Sequence, residues 1–141
     1  MSAKIVIKSS MKDMHQIASA LSAMGVPDNM VQVCPDGVEM NGYRGAKWGK
    51  VQVLIPKTWH GGYSDIGFAQ QDDGTFSVLV DHIDDHSALR KVQNAVPGDS
   101  FGSIVNRWYA ANSAKKALRD QGYEVTIRQQ GKDLQVVGQQ W

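Results

Sequence analysis

The chain has 141 residues, of which 42% are hydrophobic and 21% charged, and its formal net charge is +1. This length and composition predict one globular domain, residues 1–141, with a core of its own. The near-neutral charge excludes a global field that would steer the protein to nucleic acid or to a membrane surface, and no stretch approaches the roughly 20 apolar residues that span a bilayer.

The first third of the chain predicts a strand, a helix and further extended segments. Residues 4–8, KIVIK, are apolar and β-branched, which is typical of a buried strand. The apolar period then becomes helical and predicts a helix that Ser9 or Ser10 caps and Gly25 ends, with an apolar stripe made of Met14, Ile17, Ala18, Leu21 and Met24. Residues 27–45 look extended on both sides of a PDG turn, and residues 50–56, KVQVLIP, predict a strand.

The remaining elements are two hairpins and one long helix. Residues 65–81 predict a hairpin that turns at DDG, and residues 123–137 predict another that turns at Gly131. Between them, residues 87–95 indicate a short helix, and a long helix begins after an Asp99 or Ser100 cap and ends at Gly122. This order predicts an α+β fold, a two-layer sandwich with a mainly antiparallel sheet of five to seven strands and two long helices on one face.

Five short motifs follow one another over most of the chain: NGYRG (41–45), YSDIGF (63–68), DDGTFSVLVD (72–81), NRWYAANSA (106–114) and QGYEV (121–125). In these motifs the chain resembles an uncharacterised family known as a hypothetical chloroplast reading frame, with members in cyanobacteria, their phages and algal plastids. The resemblance implies no assigned reaction. It implies a cyanobacterial, phage or plastid setting, and hence a location in cytoplasm, plastid stroma or the cytoplasm of an infected host.

The GYRG and DIGF segments supply the first candidate site. Arg44 between glycines can bring a guanidinium and free backbone N–H groups to an anion, with Asp65 as its partner. Alternatively, the glycines mark a bulge or turn, and an Arg44–Asp65 pair fixes strand register. We predict a polar ligand-binding site formed by Arg44 and Asp65, to which Tyr43 and Tyr109 add aromatic contacts.

The segment DHIDDH (81–86) supplies a candidate metal site. In an extended strand, His82, Asp84 and His86 would project to one face and could chelate a divalent metal, with His60 as a further ligand. A divalent-metal-dependent enzyme is the corresponding alternative function. The competing interpretation ends the strand at Asp81 and places the histidines and aspartates in a solvated loop.

The second long helix supplies a third candidate. Trp108, Asn112, Lys115 and Arg119 recur at helical spacing, so they share a face that could stack bases and contact phosphates. The near-neutral net charge and the absence of a nucleic-acid motif argue against that use. A solvated face with one half-buried tryptophan, or a protein-docking surface, would present the same pattern.

No P-loop, GxGxxG or GxSxG motif indicates a catalytic site. The single cysteine, Cys34, cannot form an internal disulfide or a CxxC metal site, and it favours a reducing, cytoplasmic compartment. We therefore expect a non-enzymatic binding or accessory protein without a cofactor. Its partner would be an unknown protein or a small anionic ligand, with no membrane association, and exposed edge strands would allow a homodimer.

Overall fold

The computed structural model describes residues 4–92, 95–131 and 133–140. Within these ranges, the helices and strands follow the order β1 (Lys4–Lys8), α1 (Met14–Ala23), β2 (Gln32–Asn41), β3 (Lys47–Ile55), α2 (Lys57–His60), β4 (Ile66–Gln70), β5 (Phe76–Asp81), α3 (His82–Leu89), α4 (Phe101–Asp120), β6 (Glu124–Gln130) and β7 (Asp133–Gln139).

The strands form two antiparallel sheets. The larger has the order β1-β5-β4-β3-β2, and the smaller consists of β6 and β7 alone. The α+β class and the antiparallel pairing are confirmed, but the last hairpin does not extend the main sheet as expected. It lies against α4 instead, where Gly138 approaches the side chains of Leu118 and Tyr123.

The two long helices begin at polar caps. The carboxylate of Asp13, and not Ser9 or Ser10, caps α1 by accepting from the N–H groups of His15 (2.8 Å) and Gln16 (3.2 Å). Ser100 caps α4 as predicted: its hydroxyl accepts from the Ser103 N–H at 3.1 Å, and the Ser103 hydroxyl accepts from the Ser100 N–H at 3.0 Å. These bonds satisfy backbone donors that the first helical turn leaves without partners.

The main core joins α1 and α4 to the middle of the large sheet. Its fully buried members include Ile17, Leu21 and Met24 of the α1 stripe, Ile66 and Phe68 of β4, Phe76, Val78 and Val80 of β5, and Phe101, Ile104 and Val105 of α4. The predicted alternation of apolar residues along the β4–β5 hairpin is therefore confirmed. Every second side chain of each strand therefore enters this core.

A second, smaller cluster fixes the β2–β3 hairpin against β4. Met40, Val51, Leu54 and Leu79 pack together there. A Cβ at Gly67 would lie 2.7 Å from both Met40 Sδ and Val51 Cγ1, so glycine permits this close approach. As a result, the segment that follows β2, residues 42–46, lies beside the segment that precedes β4, residues 61–65.

Residues 82–89 form a helix, which overturns the extended interpretation of the DHIDDH segment. β5 ends at Asp81, whose fully buried carboxylate caps α3 by accepting from the Ile83 N–H at 2.8 Å. The short helix expected over residues 87–95 thus begins five positions earlier and ends at Leu89. Residues 93 and 94 lie outside the described part of the chain.

Candidate recognition surface

Asp65 joins three segments of backbone. Its Oδ2 accepts from the Asn41 N–H at 3.1 Å and its Oδ1 from the Lys57 N–H at 3.0 Å, while its own N–H donates to the Asn41 carbonyl at 2.9 Å. The side chain is 7% exposed. These bonds hold the end of β2, the start of α2 and the start of β4 together, so Asp65 has a structural role.

The expected ion pair between Arg44 and Asp65 is not formed. The ion pairs among the described residues are Arg107–Asp99 and Lys116–Asp120, and both carboxylate oxygens of Asp65 already accept backbone N–H groups. The two residues are brought to the same region, as predicted. Their roles in that region differ, because Arg44 is exposed whereas Asp65 is buried.

Arg44 lies at the tip of a tight turn in an uncommon backbone conformation. With φ 55° and ψ 34°, it is the one non-glycine residue of the described chain in the left-handed region. For a residue with a Cβ this conformation costs about 1 kcal/mol or more. The turn is closed by the Gly42 N–H, which donates to the Ala46 carbonyl at 2.6 Å. Backbone strain of this kind persists where the surrounding structure maintains it, often at functional sites.

Two tyrosines extend the exposed surface around Arg44. The Arg44 guanidinium lies 5.2 Å from the ring centroid of Tyr43, and the Tyr43 and Tyr63 rings meet edge to face at 5.3 Å. Tyr43, Tyr63 and Ile83 are 36%, 52% and 43% exposed, and the other exposed large apolar side chain in the described part is Val6. We call Tyr43, Arg44 and Tyr63 the recognition surface.

The backbone that carries Tyr63 is held by two buried side chains, which we call the His60–Asp84 clamp. Asp84, with no exposed area, accepts from the Tyr63 N–H at 2.9 Å and from the Ser64 N–H at 2.7 Å. His60, 6% exposed, accepts from the Gly62 N–H through Nδ1 at 3.1 Å, and its Nε2 lies 3.0 Å from the Ser64 carbonyl oxygen. Four hydrogen bonds thus fix three consecutive residues, Gly62 to Ser64.

The clamp requires a neutral histidine. Because Nδ1 accepts a hydrogen bond, it carries no proton, and the proton on Nε2 is donated to the Ser64 carbonyl. Burial lowers the pKa of His60 below its ordinary value of 6.5, while the carboxylates of Asp84 and Asp65 and the bond to Ser64 act in the opposite direction. The folded environment therefore favours the uncharged ring that the clamp uses.

Gly62 fits between the two clamp side chains because it has none of its own. A Cβ at this position would collide with Asp84 Oδ1 and would lie 2.5 Å from Nδ1 and Cε1 of His60. Gly62 of the HGG sequence at 60–62 is therefore explained by close packing of a carboxylate and an imidazole on either side of the backbone.

A family model matches residues 20–137, which include the recognition surface and the clamp. The chain belongs to the DUF1257 family, described as a protein of unknown function. This confirms the expected membership of an uncharacterised family. No curated protein and no solved structure matches the chain. No helix in the described part of this DUF1257 protein is long and apolar enough to cross a membrane.

The predicted metal ligands of the DUF1257 protein are not brought together. His82 and His86 are exposed one turn apart on α3, with ring centroids 5.6 Å apart, whereas Asp84 is buried and binds the amides of Tyr63 and Ser64. The metal hypothesis assumed alternation along a strand, and the helix rotates Asp84 to the opposite side. Within the described ranges, no three His, Cys, Asp or Glu side chains are arranged to hold a metal ion.

Tyr109 lies away from the recognition surface. It is on α4, and its hydroxyl accepts from the N–H groups of Lys12 and Asp13, both at 3.2 Å, at the start of α1. The structure therefore does not bring Tyr109 together with Tyr43, Arg44 and Asp65. The residue fixes the position of α1 relative to α4.

Replacing Tyr109 by phenylalanine is expected to lower the free energy of unfolding of the DUF1257 protein by about 1 kcal/mol, since the hydroxyl bonds are lost at a partly solvated position. Urea denaturation measures the change. Tyr63→Phe, which removes a hydroxyl from an exposed ring, is the control and should alter stability by less than about 0.5 kcal/mol. Equal stability of Tyr109→Phe and the wild type would contradict the assigned role.

The third predicted face, on α4, divides into two parts. Trp108 is partly buried and packs against the main core, whereas Asn112, Lys115 and Arg119 line a groove beside α1. Sequence reasoning identified Tyr43, Arg44 and Asp65 but did not assign a role to Tyr63 or recognise the clamp. The one signal for the clamp is the HGG sequence.

Proposed function

We propose that this protein is a non-enzymatic binding protein that docks an acidic segment of a partner protein on its recognition surface. The observation that carries the proposal is the strained, exposed Arg44, whose guanidinium lies over Tyr43. Arginine and tyrosine are enriched among the residues that dominate binding energy at protein interfaces. Hydrogen bonds hold the turn and the Tyr63 segment in place before a partner binds, so little conformational entropy is lost on binding.

The charge around the recognition surface supports an acidic partner. Arg44, Lys47 and Lys57 have exposed side chains, and their segments meet at Asp65. The Asp65 carboxylate is buried beneath them and accepts two backbone N–H groups, so it does not present a competing carboxylate at the surface. Complementary carboxylates on the partner would speed association and fix its orientation.

The direct test is affinity capture from a lysate of the source organism, with quantitative comparison of wild type, Arg44→Ala, Tyr63→Ala and Arg128→Ala. Arg128, exposed on β6, is a matched cation away from the recognition surface. We expect a protein that wild type and Arg128→Ala retain equally and that the other two variants lose, with an affinity reduced about tenfold or more per variant. A retained set that is the same for all four proteins would contradict the proposal.

Arg44→Gly separates binding from folding. Glycine adopts the left-handed conformation without strain, so the free energy of unfolding should be unchanged or higher by about 1 kcal/mol. Binding should nevertheless be lost as in Arg44→Ala. Analytical ultracentrifugation of the same variants tests the remaining alternative, since a dimer of the wild type that Arg44→Gly abolishes would make a second copy of the chain the partner.

We propose that the setting is a cytoplasm or plastid stroma, in a cyanobacterium, a plastid or a phage-infected host. The resemblance carried by the NGYRG, YSDIGF and QGYEV motifs supports this origin, and the single cysteine fits a reducing compartment. Fractionation of the source cells with an antibody against the protein tests the location.

A further inference from the structure

A groove of about 460 Å³ runs between α1 and α4, outside the recognition surface. The α1 side contributes Gln16, Ser19 and Ser22, and the α4 side contributes Asn112, Lys115 and Arg119. The hydroxyls and the Gln16 amide thus face three cations, Lys115, Lys116 and Arg119, and the carboxylate of Asp120 across the groove. The volume falls within the range of roughly 300–1,000 Å³ that is usual for small-molecule sites.

The cations of the groove are incompletely neutralised. Lys116 pairs with Asp120 at 3.4 Å, and both side chains are largely exposed. Lys115, which is half-buried, and Arg119 have no carboxylate partner among the described residues. They lie in the last turns of α4, where the helix dipole favours cations, but the dipole supplies only about half a negative charge. The groove therefore keeps a net positive charge.

A second groove of about 330 Å³ continues from the first. It shares Gln16, Lys116 and Asp120 with it and extends to Tyr109. The combined groove has Lys115, Arg119 and the serine hydroxyls at one end and Tyr109 with the Asp13 carboxylate at the other, and both parts share the Lys116–Asp120 pair. A ligand that carries anionic oxygens on an organic body would match both ends, because lysine and arginine bind phosphate oxygens through short, charge-assisted hydrogen bonds.

We infer that the α1–α4 groove binds a small molecule that carries phosphate groups. Lys115 and Arg119 contact the phosphate oxygens, the hydroxyls of Ser19 and Ser22 donate to them from the opposite wall, and the organic part extends toward Tyr109. This site is separate from the recognition surface, so binding of a protein partner and binding of the phosphate ligand are independently testable.

The test is a titration of the ¹⁵N-labelled full chain with inorganic pyrophosphate at low ionic strength, followed by NMR. We expect shifts in the amides of residues 16–23 and 112–120. The double variant Lys115→Gln/Arg119→Gln should bind pyrophosphate at least about tenfold more weakly. Arg128→Gln, the exposed cation on β6, and Arg44→Ala should bind it like the wild type.

Two results would overturn the inference. One is an equal affinity of wild type and the double variant for pyrophosphate, or shifts spread over cations throughout the surface. The other is no response to pyrophosphate; binding of a single-stranded oligonucleotide that weakens steeply with salt would then assign the groove to nucleic acid. Matching circular dichroism spectra and melting temperatures of the double variant and the wild type establish that the loss of binding is not unfolding.

Discussion

Replacing Asp84 by alanine is expected to lower the free energy of unfolding by about 3 kcal/mol, because it removes the acceptor of two backbone N–H groups at once. Ser64 has no exposed area, so its N–H cannot turn to water when the carboxylate is removed. An unsatisfied buried donor costs about 1–3 kcal/mol, and the alanine also leaves a small cavity beside His60.

Guanidinium chloride denaturation followed by tryptophan fluorescence measures this loss. Asp84→Asn keeps the size of the side chain and one acceptor oxygen, so its stability should fall between those of alanine and wild type. Asp72→Ala, in the exposed turn between β4 and β5, is the control and should change stability by less than about 0.5 kcal/mol. A value for Asp84→Ala as small as that of the control would show that the clamp does not stabilise the fold.

The same variant tests the connection between the clamp and the recognition surface. With Asp84 absent, the amides of Tyr63 and Ser64 should exchange with solvent faster, whereas the Asp65-anchored amide of Asn41 should not. Tyr63 would then be less well ordered, and partner binding should weaken even under conditions in which the protein remains folded.

Apolar periodicity was sufficient to predict most of the fold. The α1 stripe and the alternation along β4 and β5 correspond to residues that enter one core, and the Ser100 cap follows from a local hydrogen bond. Such features depend on neighbours in sequence, so a pattern of a few residues carries the information. The position of the β6–β7 hairpin cannot be predicted from neighbours in sequence, since it depends on which surface of α4 is left uncovered.

The start of α3 was predicted wrongly for a different physical reason. Its buried face is largely polar: Asp84 and Asp85 are buried together with Ala88, and the two carboxylates bind backbone N–H groups of residues 63, 64 and 101. A carboxylate that faces inward to cap distant backbone has the same sequence signature as one that faces water. The alternation of histidine and aspartate in DHIDDH therefore suggested a strand or a loop.

The candidate site was predictable only in part. The glycines around Arg44 indicated an unusual backbone, and the turn there is indeed left-handed at Arg44. The role of Asp65 could not be inferred, because an ion pair with arginine and two bonds to backbone amides are equally consistent with an aspartate before a strand. Tyr63 joins the surface through its ring contact with Tyr43, a tertiary contact that no local pattern encodes.

Lowering the pH below 6.5 is expected to destabilise the protein through His60. Its pKa in the folded state lies below this ordinary value because of burial. At a pH between the folded-state pKa and 6.5, the unfolded chain binds a proton that the folded protein does not, so the equilibrium shifts toward unfolding. The stability contributed by the neutral ring is complete above pH 6.5, is lost as the pH falls toward the folded-state pKa, and then declines no further. The slope due to one group is at most about 1.4 kcal/mol per pH unit.

His60→Gln tests this assignment, because glutamine can accept from the Gly62 N–H and donate to the Ser64 carbonyl without titrating. Its free energy of unfolding should vary less between pH 7 and about pH 5 than that of the wild type. His15→Gln, an exposed histidine on α1, should retain the wild-type profile. A protonated His60 cannot accept from Gly62, and its Nδ1–H would compete with the Tyr63 and Ser64 amides for the Asp84 carboxylate. Faster exchange of those amides at low pH, absent in His60→Gln, would locate the proton at the clamp, whereas identical profiles for wild type and His60→Gln would place it elsewhere.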